Sequence, residues 1–168
     1  MYFERYALDV LVRGGSFRTC NLADGSRSTL ELPVDCAVRR FSKLEELEGV
    51  ADDIAYLPNA KTFAAIDGIL PGRRLVNATI SKAHTLLMRG KSDEGVGVVA
   101  IANALGIHGA VTFLWAVPED RFDAVCKGGL RQSVHGKRVD PVVSQVVVCV
   151  PFAVTHSRRA LSSGVPLT

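Results

Sequence analysis

The chain has no C-x-x-C pair, no histidine at zinc-ligand spacing from a cysteine, and no uninterrupted apolar run long enough to span a bilayer. Its four cysteines, Cys20, Cys36, Cys126 and Cys149, are far apart, which leaves no sequence-local metal site and predicts free thiols packed as small hydrophobes. The opening Met1-Tyr2-Phe3-Glu4-Arg5 lacks the positive region and apolar stretch of a signal peptide, so a reducing cytoplasm is the expected location. Aromatic residues make up only 7% and the net charge is a mild +3. The basic pairs Arg39-Arg40, Arg73-Arg74 and Arg158-Arg159 are not gathered into a stripe, so neither a nucleic acid nor a membrane is an expected partner. Also missing are a phosphate-binding G-x-x-x-x-G-K-[ST], a G-x-G-x-x-G between strand and helix, and a G-x-S-x-G elbow.

What remains is the composition of a packed domain. With 48% hydrophobic and 22% charged residues over 168 positions, the chain can bury a core without a disulfide or metal staple. We expect a single α/β domain over residues 1–154 and a flexible tail over 155–168.

Tyr6 to Val12, closed by Gly14-Gly15, reads as a strand, with Asp9 inside it. Asp9 is then either a solvent-facing carboxylate or a rigidly held proton acceptor and partner for a ligand amine. Shorter strands follow between Phe17 and Phe41, divided at Asp24-Gly25-Ser26, with Val34 to Val38 pairing alongside. Ser42 with Glu45 has capping-box spacing and predicts a short helix from Lys43. Arg74 to Ile80 alternates as a strand, and Ser81 is placed to cap a helix carrying Ala83, Leu86 and Leu87. Ser92 with Asp93 and Glu94 predicts the start of an apolar helix that Gly106 ends. Within it, Gly95-Val96-Gly97 is read as close packing rather than a dinucleotide loop.

Gly109 to Val117 is the clearest buried strand, and Pro118-Glu119-Asp120 opens a helix with acids in its first turn. Val125, Leu130 and Val134 continue that helix's apolar side, and Val142 to Val150 forms a last strand. His84, His108, His135 and His156 are read as surface or helix-end residues.

Three runs carry a resemblance: V-N-A-T-I-S-K-A-H-T-L-L, G-V-G-V-V-A-I-A-N-A-L-G-I and V-T-F-L-W-A-V-P-E-D-R-F-D-A-V. In order and approximate spacing, roughly from Arg73 to Val139, they resemble the second half of the formaldehyde-activating enzyme family. The strand Ala7-Leu8-Asp9-Val10-Leu11 is similar to that family's A-H-I-D-L-I. The resemblance implies a two-layer α+β fold like domain 2 of ribosomal protein S5, a homopentamer, and a tetrahydromethanopterin-type reduced pterin bound between subunits. It also implies a hydro-lyase chemistry of one-carbon metabolism, the condensation of formaldehyde with that cofactor. It places Asp9 and Thr79 as catalytic residues and Asn77, Asp93 and Trp115 as cofactor-binding residues, with no metal. The family's strand histidine falls on Ala7 and its lysine on Asn77, which removes two groups suited to proton transfer. The alternative is a non-catalytic oligomeric binding or carrier module on the same fold.

Overall fold

A computed structural model describes residues 2–59, 62–81, 83–90, 95–128, 131–134 and 142–151. Its elements run α1 (Tyr2–Arg13), β1 (Gly15–Asn21), β2 (Arg27–Leu32), β3 (Val38–Phe41), a 3-10 turn (Leu44–Leu47), β4 (Ala55–Pro58), β5 (Gly68–Leu70) and β6 (Arg74–Ala78). After these come β7 (Ala83–Leu86), α2 (Val98–Ala104), β8 (Val111–Pro118), α3 (Glu119–Gly128), β9 (Arg131–Val134) and β10 (Val143–Val150). Eight strands make one mixed sheet in the order β2-β1-β10-β8-β6-β5-β4-β3, and β7 pairs with β9 separately.

The centre of the sheet is parallel. Strand β8 lies between β6 and β10, with Leu114 opposite both Val76 and Val146. Successive side chains of a strand point to opposite faces, so Val111, Phe113, Trp115 and Val117 of β8 enter one core while Leu114 and Ala116 enter another. The first core is covered by α2, α3 and the 3-10 turn, the second by α1. The fold is mixed α/β as expected, but helices lie on both faces, which corrects the two-layer arrangement to three layers.

The largest correction is at the start. Tyr6 to Val12 is not a strand but the body of α1, because Phe3, Ala7 and Leu11 recur every four residues and form one buried stripe. Glu4 in the first turn and Arg13 in the last suit the helix dipole. Gly14 ends the helix with φ of 77°, its N–H donating to Leu11 O at 3.1 Å. A Cβ there would collide with the Pro33 carbonyl, so glycine is required by conformation and by space.

Three further expectations are corrected. The helix from Lys43 is only the 3-10 turn: Lys43 occupies the cap position without a side-chain cap bond, and Ser42 contributes only its N–H, to Glu46 Oε2 at 3.4 Å. The helix after Ser81 is strand β7, in which pairing with β9 overrides an apolar spacing too short to hold a helix. Val134, assigned to the continuation of α3, lies in β9.

The helix ending at Gly106, where φ is 65°, begins only at Val98. Upstream, Val96 N–H donates to Thr62 O at 2.7 Å, and added Cβ atoms at Gly95 or Gly97 would meet the Thr62 or Met88 carbonyls. These glycines therefore serve close backbone packing, as read, although outside the helix. Strands β6, β8 and β10, helix α3 and the Asp24-Gly25-Ser26 turn fall where predicted. The expected strand near Val34 to Val38 is displaced to β3. The tail over 155–168 and Leu130 lie outside the described residues.

Val111 is fully buried in the parallel centre. Val111→Asp would place an unpaired carboxylate there, and we expect a loss of about 4 kcal/mol or more, seen as an absent cooperative melt by circular dichroism. Gly14→Ala should fold but melt lower, by an amount corresponding to about 1–3 kcal/mol, since the αL strain adds to the contact with Pro33.

Candidate functional site

Helix α1 packs chiefly on β5, β6, β8 and β10. Between its outer side, the carboxyl ends of β3 and β4 and the loop into β5 lies a groove of about 680 Å³. Glu4, Arg5, Leu8 and Asp9 line it from α1, Arg40 from β3, Leu57 and Pro58 from β4, and Asn59, Phe63, Ala64, Ile66 and Asp67 from the connecting loop.

The helical period builds the first wall. With Phe3, Ala7 and Leu11 turned to the core, Glu4 and Leu8, and Arg5 and Asp9, become i, i+4 neighbours away from the buried stripe. Asp67 builds the opposite wall. Its N–H donates to Val76 O at 2.8 Å and its Oδ2 accepts the Ala78 N–H at 2.7 Å, so the carboxylate is fixed to the end of β6. Gly68 follows, and a Cβ there would lie 2.8 Å from Leu57 Cδ2 and 3.4 Å from Leu8 Cδ2. Its bare backbone lets those two leucines come together as the groove floor.

Asn59 is held by its N–H to Phe41 O at 2.8 Å and by its Nδ2 to Ser42 Oγ at 3.0 Å. Among the described residues, the side chains of Glu4, Arg5, Asp9 and Arg40 make no hydrogen bond or ion pair. The groove thus offers carboxylates that accept from amines and amidines, guanidiniums that grip carboxylate or phosphate, and an apolar surface of Leu8, Leu57, Phe63 and Ile66 for a ring.

The residues predicted from sequence divide between two places. Asp9 lines the groove, on helix α1 rather than on a strand. Asn77 and Trp115 are cross-strand partners on β6 and β8, facing the core on the other side of the sheet. Trp115 Nε1 donates to Gln145 Oε1 at 2.9 Å, and its ring lies 4.7 Å from that of Phe113. Asn77 is 6% exposed and, among the described residues, its Oδ1 has no hydrogen-bond partner.

Thr79 is buried just past β6. Its Oγ1 accepts the Ser81 N–H at 3.0 Å, and its own N–H donates to Ala116 O at 2.9 Å. Ala7, where the resembled family has histidine, is fully buried on the core-facing stripe of α1. Within one chain, then, Asp9 does not share a cleft with Asn77 and Trp115. Asp93 lies outside the described residues.

Arg5, Arg40, Glu4 and Asp67 were not singled out from the sequence. The spacing of Arg5 and Asp9 identifies them as neighbours only if the segment is read as a helix, and no local signal marks Asp67. His108 is exposed in the loop before β8 and lies outside the groove, and His84 falls on β7; His135 and His156 lie outside the described residues.

All four cysteines are free thiols, with Cys20 and Cys149 buried. Burial, followed by contact with the Cys20 thiol, pushes the Cys126 thiol up to about 12. Among the described residues no group of three His, Cys, Asp or Glu could hold a metal ion, and no helix is long and apolar enough to cross a membrane. No protein family, no curated protein and no solved structure matches this chain.

The Cys126 shift has a defined sign. The folded state favours the neutral thiol, so its contribution to stability is complete below the ordinary value of 9.0 and is lost as pH rises towards about 12. In urea melts at a series of pH values, wild-type stability should fall more steeply across that window than that of Cys126→Ala.

Proposed function

We propose that the protein binds a small molecule that carries both hydrogen-donating nitrogen groups and an anionic group, in the groove beside α1. The observation that supports this is the set of side chains of opposite charge, Glu4, Arg5, Asp9 and Arg40, which have no partner among the described residues and stand over an apolar floor. Water solvates such groups adequately, so they cost the fold little, and a ligand that meets both signs gains directed, charge-assisted bonds. Carboxylates and guanidiniums fixed on a helix and on strands are binding groups first, which favours a binding or carrier role. A reduced pterin of the tetrahydromethanopterin type fits this description: its flat ring presents N–H donors suited to Asp9, and its anionic tail suits Arg40.

A second reading is the one the resemblance implies, a ribosomal-protein-S5-like member of the formaldehyde-activating type that condenses formaldehyde with this cofactor. The order of β6, α2, β8 and α3 in the residues that carry the resemblance favours it, although strand β7 stands between β6 and α2. That reading calls for a homopentamer with the cofactor between subunits, and the burial of Asn77, Thr79 and Trp115 inside one chain counts against their lining such an interface. Among the described residues no histidine, cysteine or lysine lines the groove, and the family's histidine and lysine positions hold Ala7 and Asn77, so condensation would be slow.

Calorimetric titration with tetrahydromethanopterin tests the first reading. Saturable binding is expected, weakened about tenfold or more by Asp9→Asn and by Arg40→Ala without a change in melting temperature. Absence of binding removes the pterin assignment, and binding indifferent to both substitutions removes the groove. A monomer in sedimentation equilibrium removes the second reading.

A further inference from the structure

Among the described residues the eight-stranded sheet has two open edges, β2 and β3, and they differ in the state of their charges. On β2, Arg27 pairs with Asp123 at 2.9 Å and Glu31 accepts a hydrogen bond from Ser16 at 2.6 Å. On β3, Arg39 and Arg40 are exposed and, among the described residues, have no partner. They are consecutive on a strand, so one guanidinium lies on each face of the sheet.

Among the described residues the backbone of β3 is equally open. Ala37 O and Phe41 O accept from Ala55 and Asn59 of the β4 side, at 2.9 and 2.8 Å. By the alternation of a parallel ladder, residues 37, 39 and 41 face β4, and the N–H and C=O groups of Val38 and Arg40 face outward. Val38 is 45% exposed, an apolar residue on that open rim. Cavities of about 680 and 400 Å³ lie on either side of this strand, and Arg40 borders both.

We infer that β3 is a docking edge for an extended acidic segment of another protein, which adds to the sheet as a ninth strand. Its backbone pairs with the outward groups of Val38 and Arg40. Two adjacent acidic side chains, thrown to opposite faces by the same alternation, meet Arg39 on one side and Arg40 on the other. Flanking side chains of the segment drop into the two cavities, so the main chain supplies affinity and the alternate pockets supply selectivity. Charged residues commonly protect an edge from self-pairing, and two β3 strands would indeed set arginine against arginine. That same repulsion becomes attraction for a partner carrying acids, whereas β2 has already spent its charges internally. The inference does not rest on the ligand assigned to the groove.

The probe is a fluorescein-labelled peptide, Thr-Val-Glu-Asp-Val-Thr, followed by fluorescence anisotropy. We expect saturable binding that weakens with salt, and a loss of about tenfold or more for Arg39→Glu and for a peptide with Lys-Lys at its centre. A peptide N-methylated at alternate residues should also lose about tenfold, since it cannot complete the ladder.

Val38→Pro removes an outward donor and leaves the bonds to β4 in place. It should abolish binding with melting temperature and tetrahydromethanopterin titration unchanged. If it lowers the melt, Arg39→Glu and the N-methylated peptide still decide the matter. Equal binding of the N-methylated peptide, or of the Lys-Lys peptide, overturns the inference. So does self-association of the chain through this edge that Val38→Pro abolishes.

Discussion

Everything on either side of this molecule is fixed by the register of β8 between β6 and β10. A slip of one residue in that strand would send Val111, Phe113, Trp115 and Val117 to the face that now takes Leu114 and Ala116. The two cores are unequal in size, with the aromatic residues of β8 on one side and smaller residues under α1 on the other, so the slipped arrangement cannot be packed. Because that register holds, Asn77 is committed to the aromatic side, opposite Trp115, and the residues of α1 are committed to the other. The separation of Asp9 from Asn77 is therefore a consequence of the central packing and not of local loop geometry.

Legibility from sequence followed the same division. Where a segment is buried on both faces, as in β8 and β10, its continuous apolar run identifies it without help from context. Where a segment is half-buried, period decides, and the period of Tyr2 to Arg13 was obscured because valines and Tyr6 fill the positions between the four-residue stripe of Phe3, Ala7 and Leu11. Read for β-branched content it is a strand, and read for spacing it is a helix. The glycines that follow end either one equally well. Strand β7 fails in the opposite direction, since only its pairing with β9, which is remote in sequence, makes it extended.

The candidate site was legible in one residue. Asp9 was marked as an unusual carboxylate in an apolar run, and it does line the groove, although for a different reason, as the solvent side of an amphipathic helix. Its companions come from four separate elements, and their convergence is a property of the sheet order β6-β5-β4-β3. Asp67 illustrates the limit. It reaches the groove because its carboxylate substitutes for a strand partner at the Ala78 N–H, a role that no neighbouring residue type announces.

Helix α1 consequently serves two purposes with one period. Burial of Phe3 and Leu11, each worth about 1.5–3 kcal/mol, holds the helix on the sheet, and the same docking sets where Glu4, Arg5 and Asp9 stand relative to Arg40 and Asp67. The exit at Gly14 completes the arrangement, since the chain must turn there under the Pro33 carbonyl before entering β1. The groove is thus coupled to the core beneath α1. A change in the volume of Ala7, which faces the core and does not line the groove, would tilt or lift the whole charged wall. The β3 edge is held by the ladder to β4 and by Phe41, packed edge-on in the opposite core against Phe63 of the groove at 4.7 Å. The groove and the β3 edge share Arg40, and Phe63, which lines the groove and packs on Phe41, ties both to the core beneath α2.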